Sequence, residues 1–79
     1  MIKVLLFGTL AKQAGLREIE IEARPEGRKL SDIIDEVKRD YIKGEAGVYM
    51  CAVNEVQAAP EEIINDGDEV AIMPPFSGG

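Results

Sequence analysis

A single amphipathic helix, with strand-like segments on both sides of it, constrains the fold of this 79-residue chain more than any other feature. Its apolar residues follow helical spacing on one face, while charged residues fill the opposite face. The apolar stripe consists of Leu30, Ile33, Ile34, Val37 and Tyr41. A chain of this length supports one domain with a modest core. The helix must therefore bury its stripe against a sheet formed by the rest of the chain.

Strand-like patterns of apolar residues occur before and after this helix. Five segments have them, at residues 2–8, 18–23, 48–53, 56–58 and 69–73. The order β, β, α, β, β, β resembles the α+β layout of the β-grasp, or ubiquitin-like, fold. We therefore expect a mixed sheet of about five strands with one main helix packed on one face.

The connections between these elements are predicted from turn residues and short apolar patterns. Residues 24–29 contain Pro25 and Gly27 and are predicted to form a loop. Residues 60–65 are predicted to form a helical turn in which Ile63 and Ile64 face the core. A further short helical turn is expected from Thr9, closed by a glycine six residues later.

Composition excludes several classes of chemistry. The chain has no histidine and one cysteine, Cys51, so an internal disulfide is impossible, and we expect no metal site. Cys51 lies among apolar residues in a predicted strand, which favours a buried hydrophobe over a nucleophile. Asp66-Gly67-Asp68 lacks the spacing of a calcium loop and is expected to form a tight turn. We expect the chain to be non-catalytic when it is alone.

The net charge of −6 is unevenly distributed. Residues 1–29 carry six basic and four acidic side chains, whereas residues 30–79 carry three basic and eleven acidic ones. An acidic domain without a basic stripe is not expected to bind nucleic acid. The acidic surface fits either a basic partner or simple solvation. Without a long apolar run or a signal peptide, no membrane association is expected, and we predict a cytoplasmic protein.

The chain ends Pro-Pro-Phe-Ser-Gly-Gly, which divides it into a predicted domain over 1–75 and a projecting tail over 76–79. Two prolines cannot continue a sheet ladder, so they direct the chain stiffly away from the last strand. Ser77, Gly78 and Gly79 have little bulk, so this end fits a narrow tunnel in another protein. A partner enzyme can adenylate the terminal carboxylate, and sulfide can then displace AMP to leave a thiocarboxylate. Chance composition is the other explanation for Gly-Gly, and the β-grasp layout favours function.

Three segments carry a resemblance to a known family, the small sulfur-carrier subunits of molybdopterin synthase. They are residues 1–7, residues 52–54 and, most specifically, the run from Asp66 to Gly79. The resemblance implies that a ubiquitin-activating-like adenylyltransferase uses ATP to activate Gly79. It also implies insertion of the tail into the large synthase subunit, as part of a heterotetramer. There the thiocarboxylate would donate sulfur to a cyclic pterin precursor of the molybdenum or tungsten cofactor, and this chain would hold no cofactor of its own.

The same resemblance assigns partner-binding residues. Phe7 and Met73 match positions at which the family presents apolar side chains to its partners, and we group Pro75 and Phe76 with them. The other explanation for Phe7 and Met73 is a partly covered apolar sheet edge. Two alternative functions remain open: a ubiquitin-like modifier joined to lysines, and a sulfur carrier for tRNA thiolation or thiamine synthesis.

Overall fold

The first and last strands of the domain lie side by side in one sheet. The computed structural model describes residues 1–42 and 50–74, and over these it contains β1 (Ile2–Leu6) and β7 (Glu69–Met73) as a parallel pair. The antiparallel neighbour of β1 is β2 (Glu18–Ile21), and that of β7 is β4 (Met50–Val53). The edge strand β5 (Val56–Gln57) completes the order β2-β1-β7-β4-β5. The predicted mixed five-stranded sheet is confirmed.

The main helix, α2 (Leu30–Asp40), provides the other half of the core. Its stripe packs against the sheet as predicted: Leu30, Ile33 and Val37 are buried, and Ile34 and Tyr41 pack against them. Alternate residues of the strands supply the facing apolar layer, which includes Val4, Ile19, Cys51, Val70 and Ile72. This arrangement of one helix on one face of a mixed sheet is the predicted β-grasp architecture.

A shorter helix, α1 (Thr9–Ala14), follows β1. It ends at Gly15, whose left-handed φ of 73° lets its N–H bond the carbonyl of Ala11. The predicted turn is thus a short helix that buries Leu10. The strands β1, β2 and β5 are shorter than their patterns suggested, whereas β7 has the predicted bounds. Residues 48–49 of the third predicted strand lie outside the described residues. So does residue 75, so the predicted boundary at 75/76 stays a prediction.

One predicted connection is wrong in its last two residues and another is wrong at its centre, and the same contact explains both. The predicted loop contains β3 (Arg28–Lys29), and the predicted helical turn contains β6 (Ile63–Ile64). The two strands pair as a small antiparallel sheet. Strand alternation buries Ile64 as predicted but leaves Ile63 exposed, because neighbouring strand residues point in opposite directions.

The extended segment before β6 also supplies partners to the start of α2. The N-cap residue Lys29 makes no side-chain capping bond. Instead, the N–H of Leu30 donates to the carbonyl of Glu62 at 2.8 Å, and that of Ser31 to the carbonyl of Pro60 at 3.0 Å. The first N–H groups of a helix have no partner within it, so these bonds replace a cap. A helical turn over 60–65 would use those carbonyls internally, which explains why the extended form prevails.

Arg28 is the charged residue buried in this region, and the sequence analysis did not identify it. Its guanidinium donates to Asp32 at 2.8 Å, to Glu36 at 2.7 Å and to the carbonyl of Glu22 at 3.0 Å. Burial by itself lowers the pKa of Arg28, but the bonds to Glu36 and Asp32 outweigh burial and raise it. The arginine therefore connects the end of β2, β3 and one side of α2.

Over the part of the chain that the structure describes, neither helix combines the length and apolarity needed to cross a membrane.

Gly27 provides a test of the β3–β6 contact. A Cβ at residue 27 would overlap the Cγ2 of Ile63 and lie 3.1 Å from the Oδ1 of Asn65, whereas a Cβ at Gly67 meets nothing within 4 Å. Both glycines have positive φ, 85° and 90°. We expect Gly67→Ala to lower the free energy of unfolding by about 1 kcal/mol through backbone strain. Gly27→Ala should lower the free energy of unfolding by about 1–3 kcal/mol more than Gly67→Ala does, because the new Cβ is overpacked against Ile63 and Asn65.

Urea denaturation of the two variants beside the wild type measures both losses. Equal losses at the two positions would show that Ile63 and Asn65 do not constrain residue 27.

Candidate functional site

The carboxyl end of β7 is the base of the predicted functional tail. Met73 is the last residue of the strand, and Pro74 follows it half-buried. Because proline has no N–H, it cannot extend the ladder. On the neighbouring side, the N–H of Phe7 donates to the carbonyl of Ile72 at 3.1 Å. Residues Phe7 and Gly8 therefore flank the point where the chain leaves the sheet.

Over the described residues, α2 covers one face of the five-stranded sheet, and we call the other face the open face. The buried residues of β1, β2, β4 and β7 face α2, and the alternate residues lie on the opposite face. Strand register aligns Leu5 of β1 with Ala71 of β7, and Ala71 with Ala52 of β4. One step further towards the tail, Met73 is paired with Met50. The open face is therefore apolar in the half that adjoins the tail.

Four apolar side chains lie at this end of the sheet, and we call them the end patch. They are Phe7, Leu16, Met50 and Met73. Phe7 and Leu16 are each 46% exposed, Met50 is 41% exposed, and Met73 is half-buried. Phe7 and Leu16 also line one shallow groove beside α1, together with Lys12 and Arg17. The patch offers a partner a contiguous apolar surface beside the tail.

Two of the four end-patch residues were candidate partner-binding residues from the sequence. The resemblance assigned Phe7 and Met73 to partner binding, and the structure brings them to the same sheet end. The sequence analysis did not identify Met50 and Leu16. Met50 was detectable, because it precedes the inward-facing Cys51 in a predicted strand. Leu16 required the β1–β2 register, in which the N–H of Leu6 bonds the carbonyl of Arg17. The partner-binding role of these residues stays a prediction.

The opposite half of the open face is charged. Lys3 is aligned with Glu20 on one side and Glu69 on the other, and Glu18 is aligned with Leu5. One lysine among three carboxylates leaves this area net negative. A partner that covers the whole face would thus meet an apolar half next to the tail and an acidic half beyond it.

Acidic residues at the start of β7 are used by the turn itself. The Asp68 carboxylate accepts from the backbone N–H of Asn65 at 2.8 Å and from the Asn54 side chain at 3.1 Å. The Met1 ammonium pairs with Asp66, and this hydrogen bond lowers the pKa of the Asp66 carboxyl. Across residues 1–42 and 50–74, no cluster of three potential metal ligands occurs. Turn chemistry accounts for these carboxylates, as the sequence indicated.

Cys51 is buried in β4 and faces the core. Burial raises the pKa of its thiol to about 11, so the thiolate is scarce at neutral pH. This confirms the interpretation of Cys51 as a small core residue. The remaining predicted site residues, Pro75, Phe76, Ser77, Gly78 and Gly79, lie outside the described residues.

The β-grasp sheet with its single main helix makes this chain a ubiquitin-like protein. A family model described as the ThiS family matches residues 4–79. The chain belongs to the ThiS family.

Named relatives and solved structures agree with this assignment. The molybdopterin synthase sulfur carrier subunit of Chlamydomonas reinhardtii is 34% identical, with 99% of this chain and 98% of the relative covered. A putative molybdopterin converting factor subunit 1 from Pyrococcus furiosus superposes with a TM-score of 0.82 at 33% identity, covering 95% and 97% of the two chains. SAMP1 from Haloferax volcanii superposes with a TM-score of 0.80 at 27% identity, covering 99% and 98%.

The burial of Cys51 predicts its reactivity. At pH 8 the folded protein should react with a thiol reagent far more slowly than the protein in denaturant. The folded pKa lies above the ordinary thiol value, so the unfolded chain ionises first as pH rises. Folding stability should therefore fall between that ordinary value and about pH 11.

Thiol labelling followed by mass spectrometry measures the reactivity, and urea denaturation across this pH range measures the stability. Cys51→Ala serves as the control, because it lacks the thiol contribution to the pH dependence. Fast labelling of the folded protein would contradict the core assignment.

Proposed function

We propose that this chain is a sulfur carrier whose active group is the carboxyl terminus of Gly79. One observation carries the proposal: a Gly-Gly end follows Pro-Pro on the β-grasp domain of a ThiS-family chain. The curated relative from Chlamydomonas, which matches over almost its whole length, is named a molybdopterin synthase sulfur carrier subunit. The buried thiol of Cys51 supports the choice of the terminus over a cysteine.

The proposed loading has two steps. The Gly79 carboxylate first attacks the α-phosphorus of ATP in an activating enzyme, forming an acyl-adenylate and releasing pyrophosphate. Hydrosulfide then attacks the acyl carbon, the C–S bond forms, AMP leaves, and one proton is released. The product is a thiocarboxylate on Gly79. Oxidation states are unchanged throughout, so no electron donor is needed.

The proposed acceptor is a cyclic pterin precursor held by the large subunit of molybdopterin synthase. Ser77, Gly78 and Gly79 would thread into that subunit, since their small side chains suit a narrow tunnel. Sulfur transfer to the pterin with hydrolysis of the acyl group restores the carboxylate. Two loaded chains per product supply the two sulfurs, which fits a heterotetramer. ATP and the pterin bind to the partners, and this chain holds no cofactor.

The end patch is the proposed docking surface for the large subunit and for the adenylyltransferase. Phe7 and Met73 supply the apolar contact beside the tail, with Pro75 and Phe76 following them in the chain. The acidic half of the open face, around Glu20 and Glu69, favours a partner with basic side chains opposite it.

A second candidate function is covalent protein modification. SAMP1, whose structure covers this chain almost completely, is a small archaeal modifier protein. The same acyl-adenylate would lead to it: a lysine amine attacks the acyl carbon, AMP leaves, and an isopeptide bond forms. The two functions therefore differ only in the nucleophile that follows activation. The intact mass of the chain recovered from its native cell distinguishes them.

Removal of Gly79 tests the proposal directly. The chain that ends at Gly78 should not acquire sulfur when incubated with the adenylyltransferase, ATP and sulfide. The full chain should exchange one oxygen for sulfur, at Gly79 alone. Intact-mass measurement with fragmentation of the carboxyl end reports both.

The free energy of unfolding serves as the control, and it should be the same for both chains, because Gly79 lies beyond the last strand. A fully loaded shortened chain, or sulfur found elsewhere than on the last residue, would refute the proposed site.

Replacement of Phe7 tests the docking surface. Phe7→Asp places a charge in the end patch and should weaken binding to the large synthase subunit by about tenfold or more. Val56→Asp makes the same kind of change at the edge strand β5, outside the patch, where Val56 is 68% exposed. Its affinity should stay at the wild-type value.

Titration calorimetry with the purified large subunit measures the three affinities. Equal affinities for wild type and Phe7→Asp, in folded proteins, would remove the end patch from the interface.

A further inference from the structure

Gly8 joins β1 to α1 in a conformation that suits glycine. Its φ is 60° and its ψ is −134°, the mirror image of an extended residue. Glycine adopts this region at no steric cost, whereas residues with a Cβ are strained there. The sequence analysis and the proposed function assign no role to this residue.

Two hydrogen bonds of the neighbouring residue Phe7 hold Gly8 between β7 and α1. The N–H of Phe7 donates to the carbonyl of Ile72 at 3.1 Å. The carbonyl of Phe7 accepts from the N–H of Leu10 at 3.2 Å, which starts α1. Since Pro74 lies two residues beyond Ile72, the chain around Gly8 and the chain around Pro74 are held together by the same ladder.

Gly8 and Pro74 are in direct proximity. A Cβ at Gly8 would lie 3.3 Å from the Cγ and 3.5 Å from the Cδ of Pro74. The first distance is tighter than ordinary van der Waals contact, and the proline ring cannot rotate away from it as a flexible side chain would. Gly67 also has a positive φ, of 90°, but a Cβ there meets nothing within 4 Å. A side chain at residue 8 is therefore disfavoured twice, by the backbone conformation and by the Pro74 ring, whereas at residue 67 only the backbone disfavours it.

We propose that Gly8 is a positioning residue for the carboxyl-terminal segment: it leaves room for the Pro74 ring and so sets the direction in which the chain leaves β7. A methyl group at residue 8 displaces the ring and so changes the direction in which the chain leaves β7. The consequence for chemistry rests on the proposed function, because Gly79 must reach a reactive centre inside a partner. Displacements of about 1 Å can lower such rates by up to a hundredfold.

A double-mutant cycle separates this contact from backbone strain. The variants are Gly8→Ala, Pro74→Ala and their combination, with Gly67→Ala as the matched control for positive φ. Pro74→Ala removes both ring atoms that the new Cβ would meet. Strain at residue 8 persists in the combined variant, whereas the contact does not.

The first measurement needs no partner. Amide NMR resonances of Ser77, Gly78 and Gly79 should move in Gly8→Ala and stay in place in Gly67→Ala. The shift caused by Gly8→Ala should shrink when Pro74 is already alanine. If Gly8→Ala does not fold, Pro74→Ala by itself should move the same resonances. Two results would overturn the proposal. The first is that these resonances do not move in Gly8→Ala, or in Pro74→Ala if Gly8→Ala does not fold. The second is that Gly8→Ala shifts them equally whether residue 74 is proline or alanine.

The second measurement is kcat/KM for adenylation of Gly79. We expect kcat/KM to fall about tenfold in Gly8→Ala and to stay unchanged in Gly67→Ala. When residue 74 is already alanine, adding Gly8→Ala should lower kcat/KM by much less than tenfold. Failure of the wild type to be adenylated would refute the proposed function and leave the NMR cycle to decide the role of Gly8. Normal adenylation of Gly8→Ala would overturn the positioning role.

Discussion

The parallel pairing of β1 with β7 is the contact on which the rest of the structure depends. It joins residues from the two ends of the chain, with Val4 opposite Val70 and Leu6 opposite Ile72. These four side chains form the middle of the layer that receives α2. Parallel neighbours need a long connection, and here almost the whole domain lies between the two strands. The same pairing brings Phe7 and Gly8 beside the exit of the tail.

The helix that covers this sheet is secured by main-chain and charged contacts as well as by its apolar stripe. Carbonyls of Pro60 and Glu62 take the place of a side-chain cap at its first turn. Buried Arg28 binds Asp32 and Glu36 from the side. Burying an arginine is costly unless its charge is paired and its nitrogens find partners, and each of the three guanidinium nitrogens of Arg28 donates to one of these carboxylates or to the Glu22 carbonyl. A domain with a small core thereby orients its main helix.

The open face has an apolar half and an acidic half, and this arrangement fits the proposed function, in which the terminal carboxylate is the active group. The chain's one thiol, Cys51, is buried in the core, and the aspartates of the turn before β7 are already hydrogen-bonded or paired. What the described surface offers a partner is an apolar half next to Pro74 and an acidic half beyond it. Such a surface can direct docking, since its charge aids approach and its apolar part is buried in the complex. In the proposed function, the chemistry belongs to the terminal carboxylate that follows.

The sequence by itself determined the elements whose burial is periodic. The stripe from Leu30 to Tyr41 and the alternation in β1, β2 and β7 specify which face of each element is apolar, and this was enough for the β-grasp layout. Tertiary structure alone decided the β3–β6 pair, the burial of Arg28 and the contact between Gly8 and Pro74. The β3–β6 pair and the Gly8–Pro74 contact join segments that are distant in the chain, and Arg28 binds residues from the end of β2 and from α2. Each of these features is too short to have a periodic pattern of its own. A local sequence pattern indicates which residues are buried. It does not indicate contacts such as Gly8 with Pro74, because these depend on where the folded sheet brings two segments together.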